Sequence, residues 1–342
     1  MLISRVCLSI GIAILLTTLG SPADAGQDGS TVVAEVGGHK IVLSELEQKE
    51  AGALLQARNK YYLVQRQALD HLVDDQLLEM EARRENISVD ELLKRHVDSQ
   101  VKEPSEDQLR FFYEGLASDQ PYDAVRDKIL DTIHRLRQTK ARSAYLESLR
   151  SERGVVIELN PPTADVSMEN VSRRGAQNAP VQVVEFADYE CPFCQKVSPT
   201  LDKLQQEFGS KVALVFKDFP LPMHPRAQKA AEAARCAGSQ GKFWEFHDAL
   251  FANKTLEVPR LKEQAGALKL DTTRFDRCLD SGEQSGAVQK DLAEAQRLGL
   301  TGTPVFFVNS HFMSGAVSYE KLRQSIQEEL AALSRPKQVA QR

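Results

Sequence analysis

The chain has 342 residues and a formal net charge of −5, from 48 acidic and 43 basic side chains. That balance lacks the strongly basic face a nucleic-acid partner demands. With 42% apolar and 27% charged residues the composition is that of a folded globular protein, long enough for two domains.

In the N-terminal stretch MLISRVCLSIGIAILLTTLGSPADAG, Arg5 precedes an apolar run from Val6 to Leu19. The run is shorter than a membrane span needs. It ends at Ala23-Asp24-Ala25, a small-x-small pattern that a signal peptidase cuts, so residues 1–25 read as a secretory signal cleaved near Ala25. An uncleaved anchor helix is the alternative. Cys7 leaves with the signal, and Cys191, Cys194, Cys236 and Cys278 remain, in a compartment where disulfides persist.

Residues 26–160 read as a mainly helical domain with a small β-element. Val32, Val33, Ala34 and Val36, then Gly37-Gly38, then Ile41 and Val42 predict a hairpin, since Gly-Gly supplies the positive φ of such turns. Ser44 with Glu47, and Ser88 with Glu91, are capping-box signals, and Ser105 with Gln108 starts a further helix. Leu69, Leu72, Val73, Leu77 and Met80 fall on one predicted helix face. A long helix stops at Gly154, and VVIEL (155–159) reads as a strand. His39, His71, His96 and His134 are scattered and read as solvated or structural, not as metal ligands. The segments VVAEVGGHKIVLSELE, ALDHLVDDQLLEMEARRENISVDELL and YDAVRDKILDTIHRLRQTKARSAYLESLR resemble the chaperone segments of SurA and parvulin-type periplasmic folding factors. The resemblance implies a surface that holds unfolded chains or dimerises.

Residues 161–180, rich in proline and polar side chains, read as an extended linker. Beyond it VQVVEF (181–186) is a run of β-formers, CPFCQKVSPTLDKLQQEFG is a helical pattern stopped by Gly209, and VALVF is a second strand. This strand-helix-strand order puts Cys191 and Cys194 at the head of the helix, where free N–H groups and the positive end of the dipole lower a thiol pKa. Cys191 is then the attacking thiolate and Cys194 the shielded partner that resolves a mixed disulfide. A zinc site lacks a second pair of ligands; a purely structural 191–194 disulfide is the other alternative. Thr303-Pro304 heads a β-rich run, where proline lacks the N–H of a central ladder.

VEFADYECPFC, FKDFPLPMHPRAQKAAEAARCAGSQGKFWEFHDALFANK and GLTGTPVFFVN together resemble the DsbA-like branch of the thioredoxin-fold oxidoreductases. The resemblance implies an α/β thioredoxin-like domain over about 181–335 with a helical insertion at about 223–298, leaving a tail at 336–342. It implies a cis-proline at Pro304 facing the cysteines, substrate backbone beside Thr303, and in Glu185 a buried acid that relays the Cys194 proton. Lys217, on the next strand, is a candidate partner for Glu185. Cys236 and Cys278 read as a structural disulfide tying two helices, with free buried thiols as the alternative. The cluster Phe243, Trp244, Phe246 and Phe251 reads as core, and His224 and His247 as structural. Phe193 stands where the strongly oxidising relatives carry a histidine, so the direction of electron flow stays open.

The expected function is thiol–disulfide exchange on folding proteins in the periplasm or outside the cell, with no cofactor, no metal and no nucleic acid. A membrane redox partner is implied, and a homo-oligomer through the N-terminal domain is allowed. The alternatives are a disulfide isomerase or reductase dimerised by that domain, and a chaperone with accessory thiols.

Overall fold

The computed structural model of the chain describes residues 29–116, 119–253 and 255–334. The expected signal peptide, with Cys7, and the tail lie outside the described residues. The chain divides into two units, Met1–Ala51 and Gly52–Arg342.

In the first unit β1 (Val32–Val36) and β2 (His39–Val42) form the expected antiparallel hairpin, turned by Gly37 and Gly38 at φ +58° and +83°. Helix α1 (Leu43–Lys49) starts before Ser44, with Val42 at its N-cap and no side-chain cap. The expected Ser44–Glu47 capping box is therefore absent. Carbonyl groups of Thr31 and Gly29 instead take the N–H groups of Leu43 and Ser44 at 2.8 and 2.9 Å, satisfying donors that every helix start leaves free.

Helix α2 (Ala51–Glu85) is followed by α3 (Val89–His96), α4 (Glu106–Glu114) and α5 (Tyr122–Glu152). Ser88 caps α3 by accepting the Glu91 N–H, and Ser105 with Gln108 forms a complete capping box on α4. Gly154, at φ +60°, ends α5, and the Val155 N–H closes back on the Arg150 carbonyl. The face expected on α2 is only partly buried. Leu77 is in the core and Val73 packs against it, whereas Leu72 and Met80 are exposed. The buried stripe is rotated to include Leu78 and Ala82, which meet Leu92, Leu146 and Leu149.

The opposite end of α2 enters the sheet domain. Leu55 is buried with Val184, Phe186, Leu298 and Phe307. Gly52 lies so close to Gly299 that a Cβ on it would come within 2.5 Å of the Gly299 nitrogen. Helices before residue 160 and the sheet after it thus share core residues.

VVIEL forms no strand, because among the described residues no β-ladder includes it; β propensity becomes a strand only against a neighbouring strand. The expected linker is instead part of the sheet. Thr163 bridges to His311, Val166 and Met168 pack against the core, and β3 (Ser172–Gly175) pairs antiparallel with a later strand.

Then follow β4 (Val181–Ala187), α6 (Pro192–Phe208) and β5 (Val212–Asp218), then five helices: α7 (Ala227–Gly238), α8 (Phe243–Asn253), α9 (Val258–Ala267), α10 (Thr272–Ser281) and α11 (Ser285–Arg297). The chain closes with β6 (Val305–Val308), β7 (His311–Ser314) and α12 (Tyr319–Ser334). The sheet order is β3-β5-β4-β6-β7, with β4 and β5 parallel and the other neighbours antiparallel. Central β4 is covered on both faces: Val181 and Val183 pack with α6 and α12, Val184 and Phe186 with Ala295 and Leu298. This is the expected thioredoxin-like sheet with helices α7–α11 inserted before β6.

Within the insertion Cys236 and Cys278 are disulfide-bonded and join α7 to α10, 42 residues apart. Phe243, Phe246 and Phe251 are buried in the same cluster, with Trp244 against it. Closing a loop of that length constrains the unfolded chain by about 4 kcal/mol in the entropic treatment. Replacing both cysteines with alanine should lower unfolding stability by about 3–4 kcal/mol in guanidinium titration; an unchanged midpoint would show that the bond carries no stability.

Candidate active site

Cys191 is the N-cap of α6, extended at φ −76° and ψ 121°, and Pro192 occupies the first helical turn, where a missing N–H costs nothing. The Cys191 N–H donates to the Asp188 carbonyl at 3.1 Å, and the Gln195 N–H donates back to the Cys191 carbonyl at 3.2 Å. Both sulfurs are free thiols; Cys191 is 4% exposed and Cys194 0%. Phe193, between them, is exposed.

Their environments differ sharply. The Cys194 thiol hydrogen-bonds to the Cys191 sulfur, and contacts with Thr303 and with the Cys194 and Phe193 N–H groups add to it, so against its burial the Cys191 thiol is brought down to about 5. Cys194 moves the other way, pushed far above the ordinary thiol range by burial, then by its bond to Cys191 and the charge of Glu185. One sulfur is ionised at neutral pH and the other keeps its proton.

Thr303-Pro304 is cis and leads into β6; the Cys191 thiol lies 3.5 Å from the Thr303 carbonyl oxygen. Glu185, in the middle of β4, is 4% exposed, and its Oε1 has no hydrogen-bond partner. Burial, and secondarily the Cys191 charge, raise its carboxyl to about 8.

Lys217 does not partner Glu185. The β4–β5 register sets Glu185 opposite Phe216 and Phe186 opposite Lys217. Since successive side chains on a strand point to opposite faces, the ammonium emerges on the other side of the sheet. There it pairs with Asp291 at 3.1 Å and Glu294 at 2.7 Å, beside Arg235 bridging Asp218 and Asp291. Asp218 itself is raised to about 6, by burial against the pull of Arg235.

The two histidines are both bound. His247 is buried, 3.0 Å from the Tyr189 hydroxyl, and burial, with Arg174, lowers it to about 3. His224 meets the Asp188 carboxylate at 2.7 Å. Sequence reasoning passed over Asp188, Glu190 and Arg226, which lie in and against the loop before Cys191: Arg226 donates from its backbone and guanidinium to Glu190 at 2.7–2.9 Å. Burial alone would raise Glu190, but the Arg226 hydrogen bonds hold it below the usual carboxylate range. The only signal was an Asp two residues before Glu190, a spacing that favours an Asx turn. Among the described residues no group of three His, Cys, Asp or Glu is placed to hold a metal ion.

A thioredoxin-like sheet with two unlike thiols opening a helix, facing a cis-proline, defines a thioredoxin-fold dithiol domain. Residues 167–328 match the family model described as Thioredoxin, and residues 2–125 match that of the SurA-like N-terminal domain. The C-terminal part is thus similar to the thioredoxin family, and the segment before it to the SurA-like N-terminal domain. Among solved structures, the chain is similar to a thioredoxin-like oxidoreductase from Silicibacter pomeroyi (29% identity, 49% of this chain and 95% of that one, TM-score 0.45). It is also similar to BdbD from Bacillus subtilis in its oxidised form (26% identity, 50% and 99%, TM-score 0.47). A stretch of 179 residues is 38% identical to the Na(+)/H(+) antiporter NhaA 3 of Salinispora tropica, covering 52% of this chain and 27% of that protein. The chain spans about a quarter of the length of the curated relatives it matches. Among the described residues no helix is long and apolar enough to cross a membrane.

A thiol lowered on folding stabilises the folded dithiol form above its unfolded value near 9, and that stabilisation is lost as pH falls through about 5. Glu185 has the opposite sign: its contribution is present below 4.5 and lost as pH rises through about 8, but its burial is common to the dithiol and disulfide forms. The melting temperature of the dithiol form minus that of the disulfide form should therefore rise from pH 4 to pH 7; equal differences at both would contradict an ionised Cys191. Lys217→Met should cost about 3 kcal/mol by leaving buried acids short of a cation, while the pH at which Cys191 becomes half-reactive to iodoacetamide stays unchanged. A displaced inflection would show that the two faces of the sheet are coupled.

Proposed function

We propose that the chain is a protein thiol–disulfide oxidoreductase that acts on folding proteins in the periplasm or outside the cell. The observation that carries this reading is the opposite displacement of the two thiols: Cys191 is held near 5 and Cys194 is driven up. A thiolate stabilised this way leaves readily, which makes the 191–194 disulfide a good oxidant. Because the stabilising donors are the Cys194 thiol and main-chain N–H groups, the apolar Phe193 side chain does not stand against that direction.

In the oxidising direction a client thiolate attacks the Cys191 sulfur of the disulfide, the S–S bond breaks, and Cys194 leaves with the electron pair. Glu185, neutral at pH 7 because burial raises it to about 8, supplies the proton that the buried Cys194 sulfur requires. The second client thiolate then attacks the client's own sulfur and expels Cys191 as a thiolate. The client leaves as a disulfide, and the two electrons it gave up stay on the dithiol. A membrane redox partner removes them. The cis Thr303-Pro304 segment positions the client backbone, and the Cys236–Cys278 bond is structural.

A second reading gives the helical segment the leading role. Tyr61, Val64 and Leu72, exposed along α2, favour a surface that holds unfolded chains or a second copy, as in a chaperone or a dimeric isomerase.

The test is oxidative refolding of a reduced ribonuclease by the disulfide form. Cys191→Ser should abolish disulfide transfer, and Glu185→Gln should slow formation of the mixed disulfide by on the order of tenfold or more. A Cys191→Ser protein with full activity in cells would favour the chaperone, and a wild-type pair found mostly reduced in cells would favour the isomerase.

A further inference from the structure

We propose that His224 is a positioning residue for thiol–disulfide exchange, acting on both sulfurs through Asp188; the inference rests on the function proposed above.

Asp188 touches each half of the dithiol through its main chain. Its carbonyl accepts the Cys191 N–H at 3.1 Å, and its own N–H donates to the Cys194 sulfur. Its carboxylate is completely buried and is met by three donors: the Glu190 N–H at 2.7 Å, the Leu221 N–H at 2.8 Å and His224 Nδ1 at 2.7 Å. The first two are backbone groups; His224 is the side chain of the set, and its ring is 19% exposed. The segment from Leu221 to Arg226 therefore grips the loop before Cys191 twice, at Asp188 through Leu221 and His224, and at Glu190 through Arg226.

A buried carboxylate deprived of a donor costs free energy and moves to recover one. Any such movement of Asp188 shifts the N–H on Cys194 and the carbonyl on Cys191 together. The main donor to the Cys191 thiolate is the Cys194 thiol, so its geometry controls how well that charge is held. An under-bonded negative Asp188 also opposes a second negative charge nearby. The side chain of Phe193 has no polar group to offer the thiolate, to which only its main-chain N–H contributes; His224 contributes from outside the Cys-Pro-Phe-Cys turn.

The experiment compares His224→Leu, which removes the donor, with His224→Asn, whose amide N–H reaches about where Nδ1 lies. Two quantities are read on the full-length protein: the pH at which Cys191 is half-reactive to iodoacetamide, and the equilibrium constant of the 191–194 pair with glutathione. His224→Leu should raise the first by about one unit and shift the second about tenfold towards the disulfide, and His224→Asn should restore both. Wild-type values in His224→Leu, or equal changes in the two variants, would overturn the proposal. Should His224→Leu not fold, Asp188→Asn, of nearly equal volume, reads the same coupling. Failure of the exchange reading itself looks different: the wild-type protein would then transfer no disulfide.

Discussion

A sulfur at the first position of a helix is met by N–H groups that no carbonyl of the helix has claimed, whereas a sulfur one turn further lies among groups already bonded. The Cys191 thiolate takes its largest support from the Cys194 thiol, to which the free N–H groups of Phe193 and Cys194 add, and much of the domain around it maintains that arrangement. Pro192 starts the helix with a fixed φ, Asp188 ties down the turn that leads into it, and Arg226 neutralises the carboxylate next door. Cys194, with the same side chain, is displaced in the opposite direction because it is enclosed.

The pleat of the sheet separates this chemistry from a second set of buried charges. Glu185 lies on the α6 face, buried and with no hydrogen-bond partner for its Oε1 among the described residues, which keeps it neutral at ordinary pH. One residue away in register, Lys217 points to the other face and is tied to Asp291 and Glu294. Had the two paired, the acid would have remained ionised and lost its capacity to donate. Strand parity thus decides which buried carboxyl stands on the face of the thiols and which is paired with Lys217.

What could be read from sequence divides along the same physical lines. The strand-helix-strand order around the cysteines is local: β-formers, Pro192, the apolar spacing of Val197, Leu201 and Leu204, and Gly209 all lie within one short stretch. Ser105 with Gln108 and Gly37-Gly38 are equally local, and the structure has both features. Features that failed depend on partners chosen elsewhere. VVIEL has strong β propensity and joins no β-ladder, while the polar Ser172–Gly175 becomes a strand because β5 presents an edge to it. Lys217 was a candidate partner because it lies on the next strand, without the register that turns it away. His224 lies 36 residues from Asp188, too far for any spacing rule to join them.

Helix α2 has its two sets of buried side chains far apart, Leu55 among the sheet residues and Leu77 and Leu78 among the distal helices. Between Leu55 and Leu78 the backbone advances about 35 Å, with a rotation of about 100° per residue. Inserting a single residue there would swing every downstream helix about the axis by more than a quarter turn, and only steps close to whole turns, such as seven or eleven residues, would preserve the facing. The separation and the azimuth of the two ends are therefore set jointly, so a change of length that keeps both cores seated must come in a few discrete increments.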